Sequence, residues 1–455
     1  MKKIIMTIAA TALLSSCGLY KSYERPSDIK IEDLYRAPAQ PADSLGMASL
    51  SWREVFTDPK LQTLIERGLA QNTNMRTAQL QIEQAEAALT VAKWAYVPSL
   101  VFTPQGTLSG VDWGKASQTY TLPVTASWQV DIFGKLLNTK KKAKVQLENS
   151  KIYKQAVQTQ LIAAIANYYY TLAMLDDQLQ LSMETEKIWK QNVEITRALM
   201  DAGQSNMAAV SQTEANYYNI CTQITDLRQQ ISDLKDDFAA LLGDTPQAYE
   251  IGTLKDWRTP GRLSAGIPAV ALANRPDVRM AEAQLAVAYY ATNEARASFY
   301  PGLTLSGTVG FTNSLGSIIV NPGKWIYNAV ASLTQPLLQN GALRAQYKVS
   351  KAQQEQAKLS FQQAILDAGV DVNAALTKIQ STEEKRQMYD KQVAALEIAV
   401  KSTTALMQNS SMNYLQVLTA QQSLLGAQMS KISNDFSQIQ AAIELYQALG
   451  GGNNE

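Results

Sequence analysis

The chain has no histidine, only two cysteines and a modest share of charge. It therefore lacks both the commonest general base and the commonest metal ligand among side chains. Cys17 and Cys221 are the two thiols, and a lipid on the first would leave Cys221 unable to form an intramolecular disulfide. Basic and acidic side chains nearly balance, at 41 and 40. Because there is also no phosphate loop and no basic stripe, the sequence indicates neither an enzyme nor a nucleic-acid-binding protein.

The N-terminus has the pattern of a bacterial lipoprotein signal. A basic start precedes an apolar run over residues 4–14, which is too short to span a bilayer and ends in Leu-Ser-Ser-Cys. The sequence thus predicts a signal peptide over residues 1–16 and a covalent lipid on Cys17; the alternative is a plain secretory signal followed by a cysteine. Gly18 stands where an aspartate would favour the inner membrane, so we expect the outer membrane. Residues 17–51 contain three prolines and no periodicity, which predicts a lipidated, extended tether.

A long helical pattern occurs twice, at an offset of 207 residues. Gly341 follows Gly134, and Gly450 follows Gly243, at this same offset. We expect a first repeat over 52–250 and a second over 251–455. The predicted helices are about 58–97, 135–199 and 207–243, then 276–299, 342–407 and 414–449. The longest have about 65 residues and would reach on the order of 100 Å.

Each long helix is preceded by strand-like segments. Apolar and polar residues alternate through Tyr120–Ile132 and Leu303–Thr312, less purely through Trp325–Leu337, and weakly through Ser99–Val111, where Pro104 interrupts the pattern. We expect four strands, within about 99–132 and 302–337, with one apolar and one Thr/Ser-rich face. Such strands suit a membrane β-barrel, and since four cannot close one, the protein must then be an oligomer. The alternative is a soluble antiparallel sheet packed on the helices.

Several motifs resemble those of the TolC-like outer-membrane factors, in particular the lipoprotein branch that serves multidrug efflux systems. The resemblance covers about Trp52 to Gly450, and it rests on the order of five short stretches along the repeat. They are Ser127–Lys135, Leu241–Gly243, Arg275–Asp277 followed by Ala281-Glu282, Ala295–Pro301, and Asn413–Gln421.

The resemblance implies a fold and a set of partners. The fold is a mixed membrane β-barrel and long α-helical barrel: a trimeric tube with twelve strands in the outer membrane and twelve periplasmic helices. The expected partners are two further copies of the chain, outer-membrane lipid, a periplasmic adaptor (a membrane fusion protein) and an inner-membrane RND-type pump. Apart from the lipid on Cys17, no cofactor is implied.

The resemblance also implies a periplasmic gate formed by Leu415, Gln416 and Thr419. Leu415 falls where pump-type relatives place a ring of leucines. Gln416 and Thr419 stand where relatives commonly carry aspartates, so we expect no cation-binding acidic ring. From spacing alone, Leu415 fits a buried leucine of a helix seam equally well.

Three function classes remain open. The favoured one is a passive exit duct of a tripartite efflux system, which conducts small molecules such as drugs. The second is an outer-membrane duct for type I polypeptide secretion. The third is a structural lipoprotein with a helical stalk.

Overall fold

The computed structural model describes residues 20–27, 50–110, 112, 114, 116–257, 275–315, 318–408 and 414–451. Within these ranges the chain forms eight α-helices: α1 Trp52–Val55, α2 Pro59–Gln71, α3 Thr73–Trp94, α4 Lys135–Asp201, α5 Met207–Leu242, α6 Pro276–Ala297, α7 Ala342–Gln408 and α8 Tyr414–Ala448. The strands are β1 Ser99–Phe102, β2 Gln105–Ser109, β3 Ser117–Val130, β4 Gly302–Leu315 and β5 Ile318–Thr334. The signal peptide, Cys17 and Asn413 lie outside the described residues.

The strands form one antiparallel sheet in the order β1-β3-β4-β5, and β2 also pairs with β3. The prediction of four strands is wrong in one respect, because the first strand is divided in two between Phe102 and Gln105. Thr103 still donates its N–H to the Pro123 carbonyl oxygen, at 3.2 Å. Pro104 has no N–H to donate, which accounts for the interruption.

Equivalent glycines occupy equivalent backbone positions in the two halves of the chain. Gly134 and Gly341, with φ of 69° and 78°, directly precede the two long helices α4 and α7. Gly243 and Gly450, with φ of 77° and 73°, follow the ends of α5 and α8. Because left-handed φ values favour glycine, these turns tie the 207-residue sequence offset to the backbone. The repeat boundary near residue 250 remains a prediction.

The described residues divide into two compact units. The first contains residues 20–27, Leu80–Ile152 and Met280–Gln363, and thus the whole sheet. In it, α3 packs on α4 through a small cluster of Ile82, Leu89, Ala92, Ala143 and Leu147.

The second unit contains the rest of the described chain and the largest apolar core. Its fully buried large side chains include Trp52, Phe56, Tyr169, Phe238 and Tyr446. The Tyr169 hydroxyl donates to the Asp58 carboxylate and accepts from the Gly252 N–H at 2.7 Å. Burial raises the pKa of Tyr169, so it remains a neutral donor at physiological pH.

Candidate functional site

The sheet has one apolar face and one face rich in threonine, as the alternation predicted. On the apolar face Val124 pairs with both Phe102 and Val309, and Val309 pairs with Tyr327. These aromatic and aliphatic side chains are unusually exposed, since Tyr327 is 88% and Phe102 59% exposed. A row of exposed apolar side chains crosses the whole sheet.

The opposite face carries hydroxyl pairs between β3 and β4. The Oγ1 atoms of Thr125 and Thr308 lie 3.1 Å apart, as do those of Thr121 and Thr312. Two paired strands therefore present polar groups to one side and apolar groups to the other.

The first described residues of the tether bind along α6. The Tyr23 N–H donates to the Tyr290 hydroxyl at 3.2 Å, and the Tyr289 hydroxyl donates to the Lys21 carbonyl oxygen at 3.1 Å. Arg25 pairs with Glu282 in a bidentate ion pair. The tether segment that starts three residues after Cys17 is thus held on α6 by both aromatic and charged side chains.

Tyr20 packs at the start of α4. A Cβ atom added to Gly134 would lie 3.3 Å from the Tyr20 ring, so the glycine also makes room for this ring. Gly134 follows the end of β3 and precedes α4, which places Tyr20 where the sheet gives way to helix.

The predicted gate residues lie together at the beginning of α8. Leu415 is 51% exposed, Gln416 and Thr419 are exposed as well, and the Thr419 hydroxyl donates to the Leu415 carbonyl oxygen at 2.9 Å. The buried positions of this turn are Val417 and Leu418. Leu415 is therefore not a buried seam leucine within the protomer. Its role as a gate remains a prediction.

The buried side of the same turn packs α8 against α4 and α5. Its cluster consists of Trp189, Ile220, Ile224, Tyr414, Val417 and Leu418. The Asn192 amide donates to the Gln421 side-chain oxygen at 2.6 Å. Burial raises the pKa of Tyr414 to about 12. The Leu415 turn is thus anchored on its buried side.

Arg275 makes contacts that the sequence did not reveal. The Arg-Pro-Asp motif was interpreted as a helix start, and α6 does begin at Pro276. Arg275 is 6% exposed and also reaches Asp371, at 2.8 Å, and the Ala448 carbonyl oxygen, at 2.9 Å. Burial by itself lowers the pKa of Arg275, but Asp277 and Asp371 outweigh it and leave that pKa raised. Asp371 therefore forms an ion pair with Arg275, which it shares with Asp277.

Among the residues that the structure describes, no helix combines the length and the apolar composition that crossing a bilayer demands.

The profile of the outer membrane efflux protein family matches residues 64–244 and 267–451, well over half of the chain. This chain belongs to that family. The match falls in two segments, one in each half of the sequence. As an outer membrane efflux protein, the chain is a transport duct of the bacterial outer membrane and not an enzyme.

Curated relatives and solved structures agree with the assignment. The chain is 26% identical to the cation efflux system protein CusC of Escherichia coli K12, over 98% of this chain and 99% of the relative. It is 29% identical to the pyoverdine export outer membrane protein OpmQ of Pseudomonas putida, over 88% of each. A crystal structure of CusC has a TM-score of 0.82 at 26% identity and covers 96% of this chain and 100% of that one. The predicted family and the predicted exit-duct function are both confirmed.

Proposed function

We propose that three copies of this chain close a β-barrel in the outer membrane and continue as a periplasmic helical tube. The observation that carries the proposal is the apolar row across the sheet, since exposed apolar side chains on one face and hydroxyl pairs on the other suit lipid outside and water inside. The sheet of one chain has four strand positions, which are too few to close a barrel, because the smallest membrane barrels have about 8 strands.

The edges of the sheet support the same assembly. In the described sheet, β5 pairs only with β4, and its Trp325 and Tyr327 are 75% and 88% exposed. A long edge strand with unsatisfied backbone groups tends to recruit another strand. The β1 and β2 edge of a second copy would satisfy β5, and three copies related by rotation would leave no edge.

The duct would carry small molecules delivered by a periplasmic adaptor and an RND-type pump of the inner membrane. CusC is named for cation efflux and OpmQ for pyoverdine export, so relatives of similar identity serve different cargoes. We infer that the adaptor and pump select the cargo and that the duct conducts it passively. Secretion of polypeptides is the alternative, and it would show itself as an exported protein missing from the medium of a deletion strain.

A conductance measurement tests the proposed assembly. We expect the purified chain to run as an oligomer that dissociates on heating, and the unheated oligomer to form ion-conducting channels in planar bilayers. The heated monomer should not conduct, because one sheet leaves both edges unpaired. A deletion strain should also accumulate a fluorescent pump substrate severalfold more than its parent. A stable, inserted monomer would contradict the proposal.

We further propose that Cys17 carries a lipid, the sole non-protein group of the mature chain. Tyr20 supports this assignment, because it is packed beside Gly134 and three residues of extended chain reach at most about 10 Å. An acyl chain attached to Cys17 would then lie close to the end of the sheet, where the bilayer surface is expected.

Cys17→Ala should abolish acylation and lipoprotein processing. We nevertheless expect the variant to stay in the outer membrane, because an apolar barrel surface offers far more burial in lipid than acyl chains alone. Intact mass spectrometry of the mature chain and membrane fractionation measure the two effects. An unchanged mass in Cys17→Ala would show that the lipidation assignment is wrong.

A further inference from the structure

Three lysines near the junction of sheet and helix make no ion pair with any described residue. Lys93 lies near the end of α3, and Lys140 and Lys144 lie one helical turn apart on α4; all three are exposed. The two lysines between them on α4 do have partners: Lys142 pairs with Glu294 at 2.5 Å, and Lys141 donates to the Ser22 hydroxyl at 3.5 Å. The three lysines thus present uncompensated charge.

The packing of α3 on α4 brings the three lysines to one place. Ala92 and Ala143, which directly precede Lys93 and Lys144, belong to the same apolar cluster. The Lys140 ammonium lies 5.6 Å from the centroid of the Tyr96 ring, just beyond the end of α3. We call Lys93, Lys140 and Lys144 the basic patch.

The carboxylate of Asp131, just after β3, is engaged elsewhere. Asp131 accepts the backbone N–H groups of Leu136 and Leu137 at 3.0 and 2.8 Å, at the start of α4. It also receives the Tyr96 hydroxyl at 3.5 Å. Asp131 therefore caps the helix and forms no ion pair with the basic patch.

The basic patch borders the apolar face of the sheet. Trp128 lies in that face, and its indole N–H donates to the Tyr96 carbonyl oxygen at 3.0 Å. Trp94 is 65% exposed and Val91 71% exposed beside Lys93. An apolar face with a tryptophan close to its end and lysines beyond it has the order of a protein surface crossing from hydrocarbon to headgroups.

The second repeat carries a different residue at the position of Lys140. Six residues after Gly341, at the position equivalent to Lys140, stands Tyr347. Tyr347 contacts Phe299 with ring centroids 6.0 Å apart, and Phe299 precedes Pro301 by two residues, as Tyr96 precedes Pro98. At the second junction an aromatic ring thus replaces the Lys140 ammonium in this contact, while the Lys351 ammonium lies 5.6 Å from the centroid of the Tyr347 ring. The contact itself therefore does not require a lysine at the position of Lys140.

We propose that the basic patch binds anionic phospholipid headgroups, such as phosphatidylglycerol, of the leaflet that meets the helix end of the sheet. This inference rests on the proposed function, because it requires the apolar face to lie in the bilayer. The exposed Trp94 would enter the interface beside the headgroups, while the three ammonium groups contact their phosphates.

The test compares lipid retention among matched variants of the full-length oligomer. The protein is purified in detergent containing equal phosphatidylglycerol and phosphatidylethanolamine, and the ratio of bound lipids is read by native mass spectrometry. Each lysine near an anionic surface favours binding about fivefold. We therefore expect Lys93→Gln/Lys140→Gln/Lys144→Gln to lose at least about tenfold of the preference for phosphatidylglycerol.

Two control variants distinguish an effect of the basic patch from an effect of total positive charge. Lys385→Gln/Lys391→Gln/Lys401→Gln removes the same charge from exposed positions farther along α7 and should keep the preference. Replacing the three patch lysines by arginine should also keep it. In the wild type, 1 M salt should erase the preference, because the screening length falls to about 3 Å.

Conductance of the same preparations distinguishes the possible failures. If wild type and glutamine variant both conduct but retain the two lipids in the same ratio, the lipid site is overturned and the duct stands. If the wild type does not insert and conduct, the proposed function fails, and the lipid site fails with it. Displacement of phosphatidylglycerol by equimolar glycerol phosphate would identify a site for free phosphate esters and refute the membrane contact. If the triple variant does not assemble, the lipid preference of Lys140→Gln and the salt dependence of the wild type test the same lipid site.

Discussion

Arginine at Val124 is expected to prevent assembly, whereas arginine at Thr125 is expected to be tolerated. The Val124 side chain lies in the apolar row with Phe102 and Val309, where a guanidinium near the bilayer midplane costs about 2–4 kcal/mol. Thr125 faces the other side and would lose a hydroxyl contact with Thr308 worth about 1 kcal/mol. The new charge at residue 125 would stay in water.

The two variants form a matched pair, since they place the same side chain at adjacent positions of one strand. Their folded fractions can be measured as the heat-sensitive oligomer on gels, and their stabilities by urea titration in lipid vesicles. Val124→Arg should lower the free energy of unfolding of each chain by about 1–3 kcal/mol more than Thr125→Arg. Equal losses would mean that neither face meets lipid.

Replacing Leu415 by serine is expected to raise the resting conductance of the channel severalfold. Leu415 is 51% exposed at the start of α8, while Tyr414 and Val417 hold the turn by burial on the other side. Three such leucines around one axis would form a narrow apolar constriction, which excludes water by dewetting. Serine would hydrate the constriction without disturbing the buried cluster.

Thr419→Asp is the complementary variant. The wild type carries uncharged Gln416 and Thr419 at this turn, and Asp371 forms an ion pair with Arg275. We therefore expect that millimolar divalent cations do not block the wild-type channel. Thr419→Asp should introduce such a block, because a ring of carboxylates favours hard cations. Single-channel recording with and without divalents on the periplasmic side measures both variants. Unchanged resting conductance in Leu415→Ser would exclude the gate, and strong divalent block of the wild type would reveal another acidic ring.

Much of the architecture was predictable because it depends on short windows of sequence. Alternation over ten residues placed the two faces of β3 and β4, and a glycine after each helical pattern placed the left-handed turns at Gly243 and Gly450. The lipid on Cys17 and the gate at Leu415 have the same kind of support from motifs, and they remain predictions.

Contacts between distant parts of the chain had no such signal. Arg275 and Asp371 are 96 residues apart, and nothing near either shows that the buried guanidinium needs that carboxylate. The basic patch was equally hidden, because Lys93 and Lys140 belong to different helices and the chain as a whole is nearly neutral. The sequence located the lysines but not their common surface.

The sequence alone determined the helical and strand periodicity of apolar residues and the helix ends, because a backbone conformation or an amphipathic face depends on residues close together in the chain. It also revealed the duplication, through the constant offset between equivalent residues. The tertiary structure alone decided which residues meet across the packed elements. It bound Lys21–Arg25 along α6 and paired Asp371 with Arg275. These outcomes depend on the path of the whole chain, since long-range contacts form only where packing brings distant segments together.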